Sequence, residues 1–230
     1  MTWGGNTMPS ARYLYAVCRG LDEAALDGVT GLDGRPVEVV GVLDLQAAVS
    51  TVDLPGLGEE GLRADLERPE WVERTARGHD TVVQACARSA PTAPMRLGTV
   101  CPDDGSVRRS LEEWYDDLAA ALGRITGREQ WSVKVYAHPR PSPAAGTEDA
   151  RDQSSLAAED LDAGLREVAV AARRVSGRSG GAMLLNGAYL VDAARARAFA
   201  ERVAALGVAH PDVSVACDGP WPAYSFATLE

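Results

Sequence analysis

Gly56, Gly58 and Gly61 reproduce the spacing G-x-G-x-x-G, after one strand candidate and before a short helical segment. Such a loop lets backbone approach a pyrophosphate at a helix N-terminus, so it is the sharpest enzymatic signal in the chain. Two features oppose that reading. Glu59 and Glu60 fill the intervening positions and would repel phosphate, and no clean parallel β-α-β unit follows. A plain flexible loop is the expectation. His79 lies on the apolar stripe of a helix, with Asp80 on a different face, so a packed structural histidine is expected rather than a general base. His138 and His210 each precede a proline and read as loop residues. Glu112, Glu113, Asp116 and Asp117 surround Trp114 and Tyr115 and could offer carboxylates to a divalent cation; a solvated helix face is the plainer account. No Gly-x-Ser-x-Gly elbow occurs, and no cysteine stands in a known catalytic signature with histidine. Arg96 is expected within a strand, as one half of an ion pair or as an anion contact.

These residues must be carried by alternating strands and helices. Arg12–Cys18 is aromatic and apolar and predicts a strand, as do Val37–Leu43 and Ala47–Val52. Leu62–Glu67 predicts a short helix. Pro69 opens a longer one, in which Trp71, Thr75, His79, Val82, Val83 and Cys86 recur at helical spacing. Met95–Val100 predicts a strand. Ser106 is expected to cap a helix whose buried face is Val107, Leu111, Trp114, Tyr115, Leu118, Leu122 and Ile125, with Gly127 closing it. Trp131–Ala137 alternates as a strand does. Residues 139–153 are proline-rich and polar, and predict a mobile loop. A helix is expected over Leu156–Val175. Strand-like 182–191 is then broken by Asn186-Gly187, a hairpin signal. Asp192 is expected to cap a helix to Leu206, and Val213–Cys217 to form the last strand. Gly219–Phe226 reads as an extended proline-aromatic tail. In the second half the order is therefore strand, helix, two strands, helix, strand, the split β-α-β pattern of ferredoxin-like folds.

Bulk properties narrow the class. The 230 residues are 46% hydrophobic and 24% charged, enough for a sizeable core. A net charge of −10 argues against nucleic acid and against a basic lipid-binding face. No segment approaches the roughly 18 apolar residues of a membrane span, and residues 1–10 read as a flexible leader without signal-peptide character. Cys18, Cys86, Cys101 and Cys217 are widely spaced, so buried thiols in a reducing cytoplasm are expected, not a zinc site. From residues alone the chain is an α+β protein in two parts without a visible active site.

Six segments, in order, resemble one family. They are Tyr13–Val17; Leu45–Ser50 (LQAAVS); Pro69-Glu70-Trp71 through His79 with Val82-Val83; Ala93–Val100 (APMRLGTV); Gly127–Tyr136 (GREQWSVKVY); and Tyr189–Val191 together with Gly219–Phe226 (GPWPAYSF). The set is similar to the gas vesicle protein F/L family and covers about residues 12–226. Leu97 replaces the family's usual phenylalanine and Gln130 its glutamate, and Cys217-Asp218 departs at the entry to the tail.

The resemblance implies a non-enzymatic accessory protein of gas vesicles with no cofactor, no metal and no small-molecule substrate. It implies a minor vesicle component or assembly factor in the vesicle or cytoplasm. Its partners would be the small hydrophobic shell protein, kept from aggregating or helped to nucleate, and other accessory proteins. The implied fold is α+β in two domains, residues 11–102 and 103–230, the second a modified ferredoxin-like fold with additional helices. Trp221, Tyr224 and Phe226 of the tail, with Arg96, are the expected partner contacts, although a tail that latches the second domain explains the same residues. The alternative function is a cytosolic enzyme with a nucleotide or metal site at Gly56–Gly61 or at Glu112–Asp117.

Overall fold

A computed structural model describes residues 10–53, 69–138, 147–175 and 182–227, with backbone alone over 147–152. The Gly56–Gly61 loop, the helix expected over 62–67 and the leader lie outside the described residues, apart from Ser10. Helix and strand are mixed, with two antiparallel sheets, and the chain divides into two compact units, 1–126 with 227–230 and 127–226.

In the first unit, β1 (Ser10–Arg19) pairs with β3 (Leu45–Asp53), which pairs with β2 (Glu38–Val42); β4 (Thr92–Pro94) and β5 (Val100–Cys101) pair with β1 from its other side. From Tyr13 to Cys18 every residue is buried, with no alternation. A strand covered on both faces gives such a continuous apolar run. The β2–β3 hairpin turns through Leu43 and Asp44, and Leu43 takes φ 53, the left-handed region that the twist of a two-residue hairpin demands. Helix α1 (Pro69–Ala87) lays Thr75, His79, Val82, Val83 and Cys86 into the core, as its periodicity required, while Trp71 stays half-buried.

Three expectations change here. The strand expected over 95–100 is instead two short strands around a turn, because the Arg96 carbonyl accepts the Thr99 amide at 3.1 Å. Gly98 sits at φ +84 in that turn. The helix expected from Ser106 to Ile125 is two, α2 (Asp104–Glu113) and α3 (Tyr115–Ile125), broken at Trp114 with ψ 11. Asp103, not Ser106, is the cap: its Oδ1 accepts the Ser106 amide at 2.7 Å. Finally, the division near residue 102 moves to 126, because α2 and α3 pack on the first sheet. Arg12 on β1 clamps α2 there, reaching Asp104 at 2.5 Å and Glu38 on β2 at 2.5 Å.

The second unit contains β6 (Arg128–Ala137), α4 (Thr147–Arg166), β7 (Ala171–Arg174), β8 (Met183–Asp192), a 3-10 turn (Ala193–Arg195), α5 (Ala196–Ala209) and β9 (Val213–Trp221). The strand order is β7-β8-β6-β9, all antiparallel. Val133, Leu165, Tyr189, Val191, Phe199 and Val203 form one core cluster, and Val135, Leu161, Leu185 and Val213 belong to a second.

Four expectations change in this unit. The helix expected to reach Val175 stops at Arg166, and residues 171–174 become a strand. The Val170 and Val175 amides bond to the Leu190 and Asn186 carbonyls of β8 at 2.7 and 2.8 Å; pairing with a neighbour overrides the helical bias of an alanine-rich run. Asn186-Gly187 is no hairpin. Both residues lie inside a continuous β8, opposite Lys134 and Val133. Residues 147–153 of the expected mobile loop are helical. Asp192 makes no side-chain cap; its Oδ1 accepts Arg128 Nε at 3.1 Å instead.

Candidate functional site

Among the described residues, each one singled out by its chemistry has a definite place. Glu112, Glu113, Asp116 and Asp117 are exposed on either side of the Trp114 break. Among the described residues no group of three or more histidine, cysteine, aspartate or glutamate side chains is arranged to hold a metal ion. All four cysteines are free; Cys18, Cys86 and Cys101 are buried and Cys217 half-buried. His138 and His210 follow the ends of β6 and α5, as loop residues.

His79 is 4% exposed and belongs to a buried cluster that the sequence did not reveal. Its Nδ1 lies 3.0 Å from the Tyr13 hydroxyl, which also accepts the Gly98 amide at 3.1 Å. The Tyr13 and Tyr15 rings lie 4.8 Å apart, each 5.7 Å from the imidazole. Tyr15 accepts the Leu32 amide at 2.7 Å and meets Ser50 Oγ at 2.6 Å. Burial pushes the imidazole down to about 4, against the Asp80 charge and the Met95 backbone, and pushes the Tyr13 phenol up to about 12. A histidine buried between two tyrosines presents almost no surface to solvent among the described residues. Its chemistry is that of a structural acceptor. Two tyrosines at alternate positions of a buried strand were the only signal, and tyrosine is common in strands.

A second buried polar group holds the other unit. Asp162 faces the core from α4, its side chain 8% exposed. Tyr189 on β8 donates to it at 2.6 Å, Arg166 lies at 3.1 Å and Arg174 on β7 at 3.4 Å. Burial raises the Asp162 carboxyl, but these donors outweigh it and leave the group below its ordinary value. Burial and the carboxylate together push the Tyr189 phenol far up. The signal was available: Asp162 stands between Ala158 and Leu165 on the apolar stripe, with Arg166 one turn on.

The expected partner contacts divide between the units. Arg96 is exposed at the first position of the turn in the first unit, not in a strand. Trp221, Tyr224 and Phe226 belong to the second. Trp221 ends β9 opposite Gln130 and is 45% exposed. The chain then turns back: the Phe226 amide bonds to the Ala223 carbonyl at 2.9 Å, and the Ser225 amide to Gln130 Oε1 at 2.9 Å. Phe226 is 4% exposed, with the Arg173 guanidinium 5.8 Å above its ring. Phe226 therefore latches the tail to its own unit, while Trp221 and the half-buried Tyr224 keep surface toward solvent. No helix among the described residues is long and apolar enough to cross a membrane.

Comparison with known proteins agrees with this arrangement along the whole chain. The family model described as gas vesicle synthesis protein GvpL/GvpF matches residues 11–155 and 142–228. Gas vesicle protein L of Streptomyces sp. (strain CB03234) is 36% identical, over 95% of this chain and 93% of that protein. Gas vesicle protein F2 of Halobacterium salinarum is 26% identical, over 94% of this chain and 92% of the relative. The crystal structure of GvpF from Anabaena sp. PCC7120 superposes with a TM-score of 0.72 at 16% identity, covering 96% of this chain and 97% of that one, which shows the shared fold. On the family match, which spans nearly every residue, and on the 36% identity over 95% of its length, this chain belongs to the gas vesicle synthesis protein GvpL/GvpF family and takes part in gas vesicle formation.

Proposed function

We propose that the chain is a non-enzymatic accessory protein that binds the hydrophobic gas vesicle shell protein, in the cytoplasm or on the growing vesicle, and keeps it from aggregating before assembly. The observation that carries this is Trp221. It is a large apolar side chain, 45% exposed, on the terminal strand of a sheet, and the Gln130 and Phe226 contacts hold its surroundings fixed. A rigid aromatic anchor at a sheet edge suits a partner that offers an extended apolar segment. The chain's net charge of −10 would keep such a complex dispersed. Tyr224, half-buried in the turn that follows, is a further contact in this reading; Phe226 is buried under Arg173, and Arg96 is a separate contact on the first unit. Other accessory proteins of the vesicle are further partners in this reading.

The second unit's chain order and its β7-β8-β6-β9 sheet are those of a split β-α-β arrangement, and we read it as a modified ferredoxin-like fold. The short 3-10 turn before α5 is an addition to it.

Co-expression with the shell protein tests the function. The soluble fraction of shell protein is expected to rise with the wild-type chain and to fall back with Trp221→Ser, which leaves the chain folded. If wild type and Trp221→Ser hold equal amounts in solution, Trp221 is not the anchor. If the wild type neither associates with the shell protein nor raises its solubility, direct binding is refuted.

A further inference from the structure

The hydrogen bonds around Tyr13 fix the direction of the proton it shares with His79. The Gly98 amide can only donate, so the Tyr13 oxygen accepts it. A phenol has one proton, and the remaining partner of this hydroxyl is His79 Nδ1 at 3.0 Å. Tyr13 therefore donates to Nδ1, and Nδ1 is the bare nitrogen of a neutral imidazole whose proton sits on Nε2. Nε2 is buried and has no partner of regular hydrogen-bond geometry among the described residues. The result is a directed chain from a surface turn to a buried base: Gly98 N–H to Tyr13 O–H to His79 Nδ1. Thr99 bonds within the turn to the Arg96 carbonyl through both its amide and its hydroxyl, and the flanking bonds Met95 N to Tyr15 O and Thr99 O to Leu14 N lie at its two ends.

We propose that Tyr13 and His79 form a protonation-sensitive latch on the turn at residues 96–99, closed while the imidazole is neutral and released when Nδ1 takes a proton. A protonated Nδ1 turns the acceptor into a donor. Tyr13 O–H and Nδ1–H then point at one another, and the phenol must turn its proton away while its oxygen serves two N–H groups at once. The cation is also cut off from water in a site 4% exposed. Both effects are relieved if the turn lifts and admits water.

The charges around the site do not remove this sensitivity. Asp80 on α1 favours the cation, as does the Met95 backbone. The elements packed on α1 bring Tyr13 and Tyr15 from β1, Asp22, Glu23 and Asp27 around the 3-10 turn at 23–26, and Asp33 of the turn at 32–34; β4 brings no titratable group. The four carboxylates on these turns are exposed and solvated. Desolvation outweighs Asp80 and the Met95 backbone, and the imidazole is held down to about 4 from 6.5. The unfolded chain thus takes up this proton first as pH falls. Stability due to the neutral group is complete above 6.5 and declines from there down to about 4.

The test follows the His79 ring and the Gly98 amide by NMR through an acid titration of the full chain. In the wild type, both are expected to shift with one common midpoint, while amides of β3 keep their native positions. In His79→Asn, whose side-chain oxygen can accept from Tyr13 without titrating in this range, the Gly98 amide is expected to stay unmoved. In Tyr13→Phe, Gly98 loses its acceptor, so its exchange at neutral pH is expected to rise about fivefold, the weight of one neutral hydrogen bond. It should then show no further acid response. A Gly98 amide that ignores the His79 titration overturns the latch. So does unfolding of the whole chain with no earlier change at Gly98, and so does a Tyr13→Phe turn as protected as the wild type.

Discussion

Replacing Gly187 with alanine puts one methyl group where Tyr189 already is. Gly187 lies in β8 between β6 and β7, opposite Val133 and Arg174. A Cβ built there would stand 2.6 Å from Tyr189 Cε2, 2.9 Å from Cζ and 2.8 Å from the hydroxyl. Carbon atoms in contact prefer about 3.5–4.0 Å, so the ring must move by about an ångström. It has no room to do so. Tyr189 is fully buried, its ring centroid is 5.7 Å from that of Phe199, and its hydroxyl is fixed on Asp162 at 2.6 Å. Overpacking of this kind costs about 1–3 kcal/mol, and a lost bond to a charged group adds about 1.5–3 kcal/mol. Alanine in place of glycine in a strand returns about 0.5–1 kcal/mol. The net expectation is a loss of about 1.5–5.5 kcal/mol, read as a lower urea midpoint with unchanged slope. A double-mutant cycle isolates the cause. In a Tyr189→Ala background the ring is gone, and Gly187→Ala should be neutral or stabilising. Equal losses in both backgrounds, or a Gly187→Ala chain as stable as the wild type, would refute the reasoning.

Two further outcomes are expected. Asp162→Ala leaves the buried Tyr189 hydroxyl without its acceptor, while Arg166 and Arg174 stay open to water, and should cost about 1–3 kcal/mol. Because the folded carboxyl titrates below its ordinary 3.8, the wild type keeps this contribution above 3.8 and loses it as pH falls through the lower folded value. Asp162→Asn should therefore flatten that acid limb in thermal melts, and an unchanged pH profile would count against the ion cluster. Leu43→Gly should stabilise the first unit by about 0.5–1 kcal/mol, because Leu43 holds φ 53 at a hairpin tip where glycine meets no strain, and at 84% exposure it gives up little packing. A lower denaturation midpoint in this variant would show that the leucine makes contacts that outweigh the strain.

Local pattern was legible where one element decided its own burial. The stripe from Thr75 to Cys86 predicted α1 and its inward face, and the alternation of Val133 and Val135 predicted β6. It failed where a partner strand decided. Residues 167–175 read as the end of a helix because nothing within the segment reveals that Leu190 and Asn186 offer it carbonyls. Asn186-Gly187 read as a turn because the sequence hides the Tyr189 ring that fills the space beside Gly187. The expected contacts fared similarly. Trp221 is exposed, but Phe226 is turned inward: Gln130 holds the Ser225 amide from 95 positions away, and Arg173 covers the Phe226 ring from 53 positions away.

The sequence by itself determined the family, the mixed helix and strand architecture and most element positions, because ordered motifs and hydrophobic periods are properties of contiguous residues. Tertiary structure alone decided that the division falls after Thr126, since Arg12 reaches across the chain to hold α2 on the first sheet. It alone decided that His79 is a buried acceptor for Tyr13 and that Asp162 joins α4, β7 and β8. Each of those facts depends on the distance between groups far apart in the chain, a quantity set only when the sheets close and water leaves.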